Sequence, residues 1–293
     1  MKRQRLQQEV SDLGLVAAGA IPGALLRWHL ELMADQAIGG LRGLVGADLL
    51  ANLIGCLLIG ALAAQPPRRA RLFLWGGIGF CGSLTTFSSW ILQLSRALQH
   101  GLACHLAGGT HHAFADYGSG FCIFNDLAVA ARVLLMEGLV RQLMVVDLDV
   151  HQGDGTAALF AGDERVFTFS AHGANNFPRI KQASDHDLPL ADGLEDGPYL
   201  AAIAGVLTDL LDQVRPDLVL YNAGVDPHRD DRLGRLCLTD LGLLQRDRMV
   251  LEACLRRRIP VATVIGGGYD DLTPLVERHG IVVRAASEMG GLL

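Results

Sequence analysis

Hydrophobic and polar positions divide the chain into two parts with different patterns. Before residue 100, three apolar stretches at 13–28, 44–64 and 72–98 are separated by basic or polar segments. The first alone could be a signal peptide, but the two that follow argue against that. Each of these two can cross about 30 Å of hydrocarbon, and their Gly, Ala and Ser residues allow close helix packing in a membrane. The pattern predicts an all-α membrane segment of three helices in residues 1–97.

After residue 97, short apolar runs alternate with longer segments of helical pattern. Alternating strands and helices predict an α/β fold with a parallel sheet, whose functional site lies at the carboxyl ends of the strands. Four strands are expected: one that ends at Asp149, and three that span 166–170, 218–222 and 261–265. Three helices are expected: one that begins near Asn125 or Asp126, and two that span 199–214 and 239–257.

The segment VVDLDVHQGDGT, residues 145–156, runs from apolar residues into alternating carboxylates. In an extended strand Asp147, Asp149 and His151 would all point to one face. A single strand-end Asp is more often a turn or cap residue, but carboxylate and imidazole together suit zinc, with a third ligand from elsewhere and a position left for water. Polar residues at three other predicted strand ends or loops offer partners: His111 and His112 in GGTHHA, Asp226 in NAGVDP, and Tyr269 in IGGGYD.

Five blocks, GGTHHAFADYGSGFCIFNDLAVAA, DLDVHQGDGT, FTFSAHGANNFP, GVDPHRDDRLG and GGGYD, resemble the zinc-dependent histone deacetylase family of the arginase/deacetylase superfamily. The resemblance covers 98–293 and implies hydrolysis that releases an acyl group from a lysine-like or polyamine-type amine. It does not include the long segment, with the first strand, that family members carry before GGTHHA. A two-metal, arginase-like hydrolase is the closest alternative.

Carried over to this sequence, the deacetylase resemblance implies a set of site residues. The implied roles are zinc ligation by Asp149, His151 and Asp226; acid/base chemistry by His111 and His112, oriented by Asp147 and Asp154; oxyanion stabilisation by Tyr269; substrate binding by Gly120, Phe121 and Phe177; and binding of a structural K⁺ or Na⁺ by Asp147 and Ser170.

In the first part of the chain, PGALLRW, ANLIGCLLIG and GFCGSLTTFSSW resemble the first three helices of the CrcB or Fluc fluoride channel family. Such channels are antiparallel dimers, so the resemblance implies a homodimer through this half. Because the family's fourth helix is not matched, we expect no selective conduction. The implied site residues are Gly82 and Thr85 for a sodium ion, and Asn52, Phe87, Ser88 and Trp90 for the ion path, where the family usually has Phe at the last position.

Charge and cysteine content narrow the function classes. Residues 1–100 carry a net charge of +4 and the remainder −10, which argues against direct nucleic-acid binding by the second part. The expected partners are an acylated amine and membrane lipid. Six scattered cysteines without CxxC spacing predict no disulfide framework and no cysteine-rich metal site.

The basic residues also predict a membrane topology. Positive side chains precede the first apolar stretch and fill the loop between the second and third, and the positive-inside rule assigns both regions to the cytoplasm. A third crossing would then place 98–293 on the opposite side. Three hypotheses stay open: a membrane-tethered deacetylase in a multi-pass protein, a fluoride channel, and an inactive fusion of two truncated halves.

Overall fold

A computed structural model describes Pro22, Leu26, Leu94 and residues 97–291 of the 293-residue chain. The chain divides into two units between residues 92 and 93, and the boundary expected between 97 and 98 stays a prediction. Within the described residues, no helix combines the length and the apolar character that crossing a bilayer requires. The three expected membrane helices lie outside the described residues, as do Asn52, Gly82, Thr85, Phe87, Ser88 and Trp90.

The second unit is built on a sheet of six strands, and every pairing between neighbours is parallel. This arrangement confirms the α/β fold with a parallel sheet. The strand order is β1-β6-β5-β2-β3-β4. The strands are β1 (Leu102–His105), β2 (Leu143–Asp147), β3 (Val166–Gly173), β4 (His186–Leu190), β5 (Leu218–Asn222) and β6 (Val261–Val264).

Helices connect most of these strands, as a parallel sheet requires. The predicted first helix is confirmed together with its cap, because the Asn125 side chain accepts a hydrogen bond from the Ala128 amide. Thr239 caps the helix that follows β5 in the same way. The helices after β1 are α1 (Asp126–Met136), α2 (Asp154–Phe160), α3 (Asp196–Val214), α4 (Asp240–Arg256), α5 (Leu272–Ser287) and a terminal 3₁₀ turn (Glu288–Gly291).

The core forms where helices α3, α4 and α5 cover the sheet. Every residue of β2, β5 and β6 is buried, which fits central strands of a parallel sheet covered on both faces. The helices contribute buried residues at helical spacing to one cluster with Met144 and Val146 of β2: Tyr199, Ile203, Leu207, Leu243, Val250, Leu251, Ile281 and Val282.

The register of the sheet brings three strand ends together. Asp147, the last residue of β2, is level with Ser170 on β3 and with Asn222 on β5. Asn222 is in turn level with Val264, the last residue of β6, so the loops after β2, β5 and β6 meet at one edge of the sheet. The strand expected to end at Asp149 ends two residues earlier, at Asp147, and the backbone bends at residues 149–151, so Asp147, Asp149 and His151 do not alternate along one strand.

Candidate metal centre and pocket

Three buried side chains converge beyond the end of β2. Potential ligand atoms of Asp149, His151 and Asp226 all lie within 4.8 Å of one another. Nδ1 of His151 is 3.0 Å from Asp149 Oδ1 and 3.0 Å from Asp226 Oδ2. The loops that carry these residues are joined directly, since the Val150 amide donates to Asp226 Oδ1 at 2.8 Å. Two carboxylates and one imidazole form the kind of donor set that binds zinc.

The glycine run after β6 leaves room for these carboxylates. A Cβ atom added to Gly267 would lie 1.9 Å from Asp226 Oδ2 and 2.5 Å from Asp149 Oδ2. Any larger residue would push both oxygens away from their meeting point. The backbone of the GGGY segment therefore serves as one wall of the metal centre.

The electrostatics of the trio favour a cation between the carboxylates. Burial and the neighbouring Asp149 raise the pKa of Asp226 above its usual range. Burial alone would raise the pKa of Asp149 too, but His111 and His151 hold it below its usual range. Burial alone would lower the pKa of His151, yet hydrogen bonds to the two aspartates raise it to about 10. A proton on His151 thus occupies the position where a metal ion would balance the same two charges.

His111 and His112 lie beside the trio and are each held by an aspartate. Nδ1 of His111 is 2.6 Å from Asp147 Oδ2, and Nδ1 of His112 is 2.6 Å from Asp154 Oδ1. The ring centroids of the two histidines are 4.1 Å apart. Nε2 of His111 lies 3.8 Å from Asp149 Oδ1, at the edge of the metal centre.

The surroundings of the two histidines shift their pKa values in opposite directions. Burial alone would lower the pKa of His111, but Asp147 and Asp149 raise it to about 9. Burial and the charge of His111 lower the pKa of His112 below its ordinary value. At neutral pH His111 therefore carries a proton and His112 is neutral, a difference typical of an acid/base pair.

A pocket of about 350 Å³ opens onto the metal centre. Phe121 is 88% exposed at its mouth and Phe177 is 44% exposed, with the Phe177 ring edge-on to His112 at 4.9 Å. Gly120 lies so close to His112 that an added Cβ would be 2.2 Å from the ring. The residues that line the pocket are His112, Gly120, Phe121, His151, Phe177, Leu233 and Tyr269.

Tyr269 is a third aromatic residue of the pocket wall. Its ring is 5.8 Å from that of His151 and 6.0 Å from that of Phe121. Burial and the charges of Asp149 and Asp226 raise the pKa of the Tyr269 hydroxyl. The hydroxyl is therefore protonated at neutral pH and can act as a hydrogen-bond donor.

Several residues that support the site were not singled out from the sequence. Asp126 at the start of α1 accepts from the Gly109 amide and from both the amide and the hydroxyl of Thr110, which fixes the loop before His111. The Asn125 side chain donates to the His111 carbonyl. Both residues were recognised only as candidates for a helix start.

A second support lies between the loops after β5 and β6. Asp231 accepts from the Tyr269 amide at 2.7 Å and from the Leu233 amide at 2.9 Å. Asn222 donates to Asp147 at 2.9 Å. Leu233 and Asp231 lie in the GVDPHRDDRLG block, so position within a motif was the available signal for both.

The remaining expectations concern ions and thiols. Ser170 lies level with Asp147, and its hydroxyl is 3.0 Å from Nδ1 of His172. The cation site expected at Asp147 and Ser170 stays a prediction. The four described cysteines, Cys104, Cys122, Cys237 and Cys254, are free thiols.

Comparison with known proteins identifies the family to which the chain belongs. The family model described as histone deacetylase domain matches residues 80–284, so the chain belongs to the histone deacetylase family. A second model, described as CrcB-like protein, Camphor Resistance (CrcB), matches residues 14–137. The predicted resemblance to both families is confirmed, and the two matches overlap at residues 80–137.

Individual relatives agree with the family match. An uncharacterized protein of Picosynechococcus is 53% identical over 231 residues, 78% of this chain and 77% of that protein. Histone deacetylase 2 of Arabidopsis thaliana is 30% identical over 182 residues, 61% of this chain but only 47% of that enzyme. The chain thus spans less than half of the named deacetylase.

A solved structure shows the same fold. The crystal structure of the HDA15 HD domain superposes with a TM-score of 0.60 at 22% identity, covering 73% of this chain and 64% of that chain. At this identity the similarity establishes the fold, and the chemistry of the site follows from its own residues.

Proposed function

We propose that this chain is a zinc-dependent amidohydrolase that releases an acyl group from a lysine-like or polyamine-type amine. The observation that carries the proposal is the buried trio Asp149, His151 and Asp226 beside two histidines whose pKa values are shifted apart. The family match and the pocket agree with it.

The donor set and its charge balance fit a zinc ion held by Asp149, His151 and Asp226. Bound there, zinc would act as a Lewis acid toward an amide carbonyl and lower the pKa of water. One ion suffices for this donor set. A second, arginase-like metal would need further ligands, and the described residues outside the trio offer no other group of three or more His, Cys, Asp or Glu side chains with converging ligand atoms.

The chain's own residues supply the proton transfers. Nδ1 of His112 is engaged by Asp154, so Nε2 is the nitrogen left to take a proton from the attacking water. His111 keeps its proton and adds positive charge beside the reacting carbonyl. The protonated Tyr269 hydroxyl donates to the oxygen on which negative charge develops.

The pocket selects a narrow substrate. Phe121 and Phe177 present aromatic surface at the mouth, and Leu233 adds an aliphatic wall. An extended methylene chain, such as that of an acyl-lysine or an acylated polyamine, fits these walls, whereas the trio receives the polar amide at the inner end. A structural K⁺ or Na⁺ at Asp147 and Ser170 belongs to the same proposal, and no nucleic acid is needed as a partner.

The proposal is tested by hydrolysis assays on the purified full chain. Acetate release is measured with an acetyl-lysine peptide and with an acetylated polyamine, for the wild type, Asp226→Asn and His112→Ala. A matched control is His186→Ala, a partly buried histidine on β4 that does not line the pocket. We expect turnover in the wild type and the control but not in the two site variants. Turnover that survives Asp226→Asn would refute the proposal.

The CrcB match supports a second element of function, attachment to a membrane through residues 1–97. We propose a multi-pass anchor that contacts lipid, pairs with a second copy and conducts no fluoride, with Gly82 and Thr85 as candidate sodium contacts. Fractionation of cells that express the full chain with a reporter after Leu293 tests this. A chain that stays in the supernatant after ultracentrifugation would contradict the membrane anchor. Fluoride efflux from liposomes that contain only this chain would contradict the absence of conduction.

A further inference from the structure

Arg246 is fully buried in helix α4, at 0% exposure. Arginine is almost never found in this state without a partner. It lies on the core stripe of the helix, between Leu243 and Val250, and not on the solvent face. None of the roles described above uses this side chain.

The guanidinium of Arg246 contacts the two loops that carry the aspartates of the metal centre. Nη1 donates to the Gly224 carbonyl at 2.6 Å and to the Leu148 carbonyl at 3.3 Å. Leu148 directly precedes Asp149, and Gly224 lies two residues before Asp226. One cation therefore joins the backbone of both ligand-bearing loops.

The rest of the guanidinium is held in place by its neighbour on the helix. Nε donates to Asp247 Oδ1 at 2.9 Å, and the same oxygen accepts from the Tyr221 hydroxyl at 2.6 Å. Asp247 is 1% exposed and Tyr221 is 0% exposed. Arg246 thus cannot move toward either loop alone without breaking a buried ion pair.

The two loops touch at the point that Arg246 joins. A Cβ atom on Gly224 would lie 2.5 Å from Asp149 Oδ2, and the Leu148 amide donates to the Asn222 carbonyl at 3.1 Å. A small change in loop separation is therefore passed directly to the distance between the Asp149 and Asp226 carboxylates.

We propose that Arg246 is a positioning residue that sets metal affinity by fixing the separation of the Asp149 and Asp226 loops. The inference rests on the proposed zinc site and assigns no chemical step to Arg246. Replacement of a buried ion pair by side chains of similar volume often leaves the fold as stable as before. Outer contacts that orient metal ligands, in contrast, change metal affinity by about 10- to 100-fold.

The test compares variants of the purified full chain after removal of metal. Arg246→Met combined with Asp247→Asn removes the cation without leaving a buried charge. Arg246→Lys keeps the charge, but its single ammonium group can hydrogen-bond well to only one of the two carbonyls. Arg248→Met is the matched control, because Arg248 lies on the same helix and is paired with Glu288 at the surface. Val250→Ala perturbs the buried face of the same helix without touching Asp247 or the carbonyl contacts of Arg246.

Two quantities are measured for each variant: the zinc dissociation constant, by competition with a chromophoric chelator, and thermal unfolding of the metal-free chain. We expect the double variant to bind zinc about 10- to 100-fold more weakly and Arg246→Lys to lie between it and the wild type. Arg248→Met should match the wild type. Val250→Ala should lower the unfolding temperature, because it leaves a cavity in the core, and leave the zinc dissociation constant unchanged.

The outcomes separate this inference from the proposed function. A wild type that binds no zinc would refute both. If the wild type binds zinc and Arg246→Lys binds it equally tightly, the positioning role of Arg246 is wrong and the zinc site stands. If the double variant does not fold, the lysine variant alone decides. Equal weakening in Val250→Ala would also overturn the inference, because it would show a general effect of core stability.

Discussion

Replacing Gly267 by alanine should remove metal binding without touching any ligand residue. The new methyl group would lie 1.9 Å from Asp226 Oδ2 and 2.5 Å from Asp149 Oδ2, and contacts under 3.0 Å require something to shift. The carboxylates would have to move by about 1 Å, whereas a zinc site tolerates changes of about 0.2 Å. We therefore expect zinc affinity to fall at least about 100-fold, which corresponds to about 2.8 kcal/mol.

The assay is zinc titration against a chromophoric chelator, with thermal unfolding of the metal-free chain as the control for folding. Overpacking of this kind costs about 1–3 kcal/mol of stability, so the variant should still fold. Gly205→Ala is the matched control: it lies in α3, and an added Cβ there meets nothing within 4 Å. It should bind zinc normally and gain stability, because alanine favours a helix by about 1 kcal/mol over glycine. Normal zinc binding by Gly267→Ala would show that the two carboxylates do not hold the metal.

Three further predictions address the histidine pair, the tyrosine and the loop before them. Tyr269→Phe should lower kcat about 100- to 1,000-fold with an unchanged zinc dissociation constant; full turnover would remove its donor role. The kcat/KM of the wild type should fall with acid only at a pH below the ordinary pKa of histidine, because burial and the charge of His111 lower the pKa of His112 and keep its ring neutral. Asp154→Asn should move this acid-side fall in kcat/KM to still lower pH, because Asp154 raises the pKa of His112. An acid-side fall that does not move would contradict the assignment of His112 as the base. Asp126→Ala should cost at least about 3 kcal/mol in urea unfolding, because it removes three hydrogen bonds to a carboxylate; a loss under 1 kcal/mol would contradict this.

Part of the fold could be predicted because some segments carry strong local signals for one secondary structure. The strand at 218–222 and the cap at Asn125 match the sequence-based expectation, since a purely apolar run and a capping side chain before an apolar segment carry strong signals. The strands β1 and β4 were not predicted. They have only four and five residues, and β4 (HDLPL) contains a proline on an edge strand.

The structure brings together the residues singled out in the deacetylase-like motifs, but their arrangement could not be predicted. Alternation along a strand predicted that Asp147, Asp149 and His151 share one face. In the structure β2 ends at Asp147, and the three side chains make two different sets of contacts. Asp147 holds His111, and the other two meet Asp226 from a different strand. Such contacts join residues about 75 positions apart, and local periodicity carries no information on them.

The burial of Arg246 could have been predicted from the spacing of apolar residues in its helix, although arginine as a residue type favours the surface. Arginine in an amphipathic helix is usually assigned to the solvent face. Yet Leu243, Arg246, Val250 and Leu251 recur at the spacing of one helical face, and all are buried. The period of the apolar residues therefore placed Arg246 in the core, against the preference of its residue type.

The metal content of the purified full chain tests the central claim most directly. Elemental analysis after dialysis should give one zinc per chain for the wild type and none for Asp149→Ala, which removes one ligand of the buried trio. The Gly205→Ala variant should retain one zinc. A wild-type chain without zinc, or one with two metal ions that both depend on Asp149, would contradict a single-zinc deacetylase centre at Asp149, His151 and Asp226.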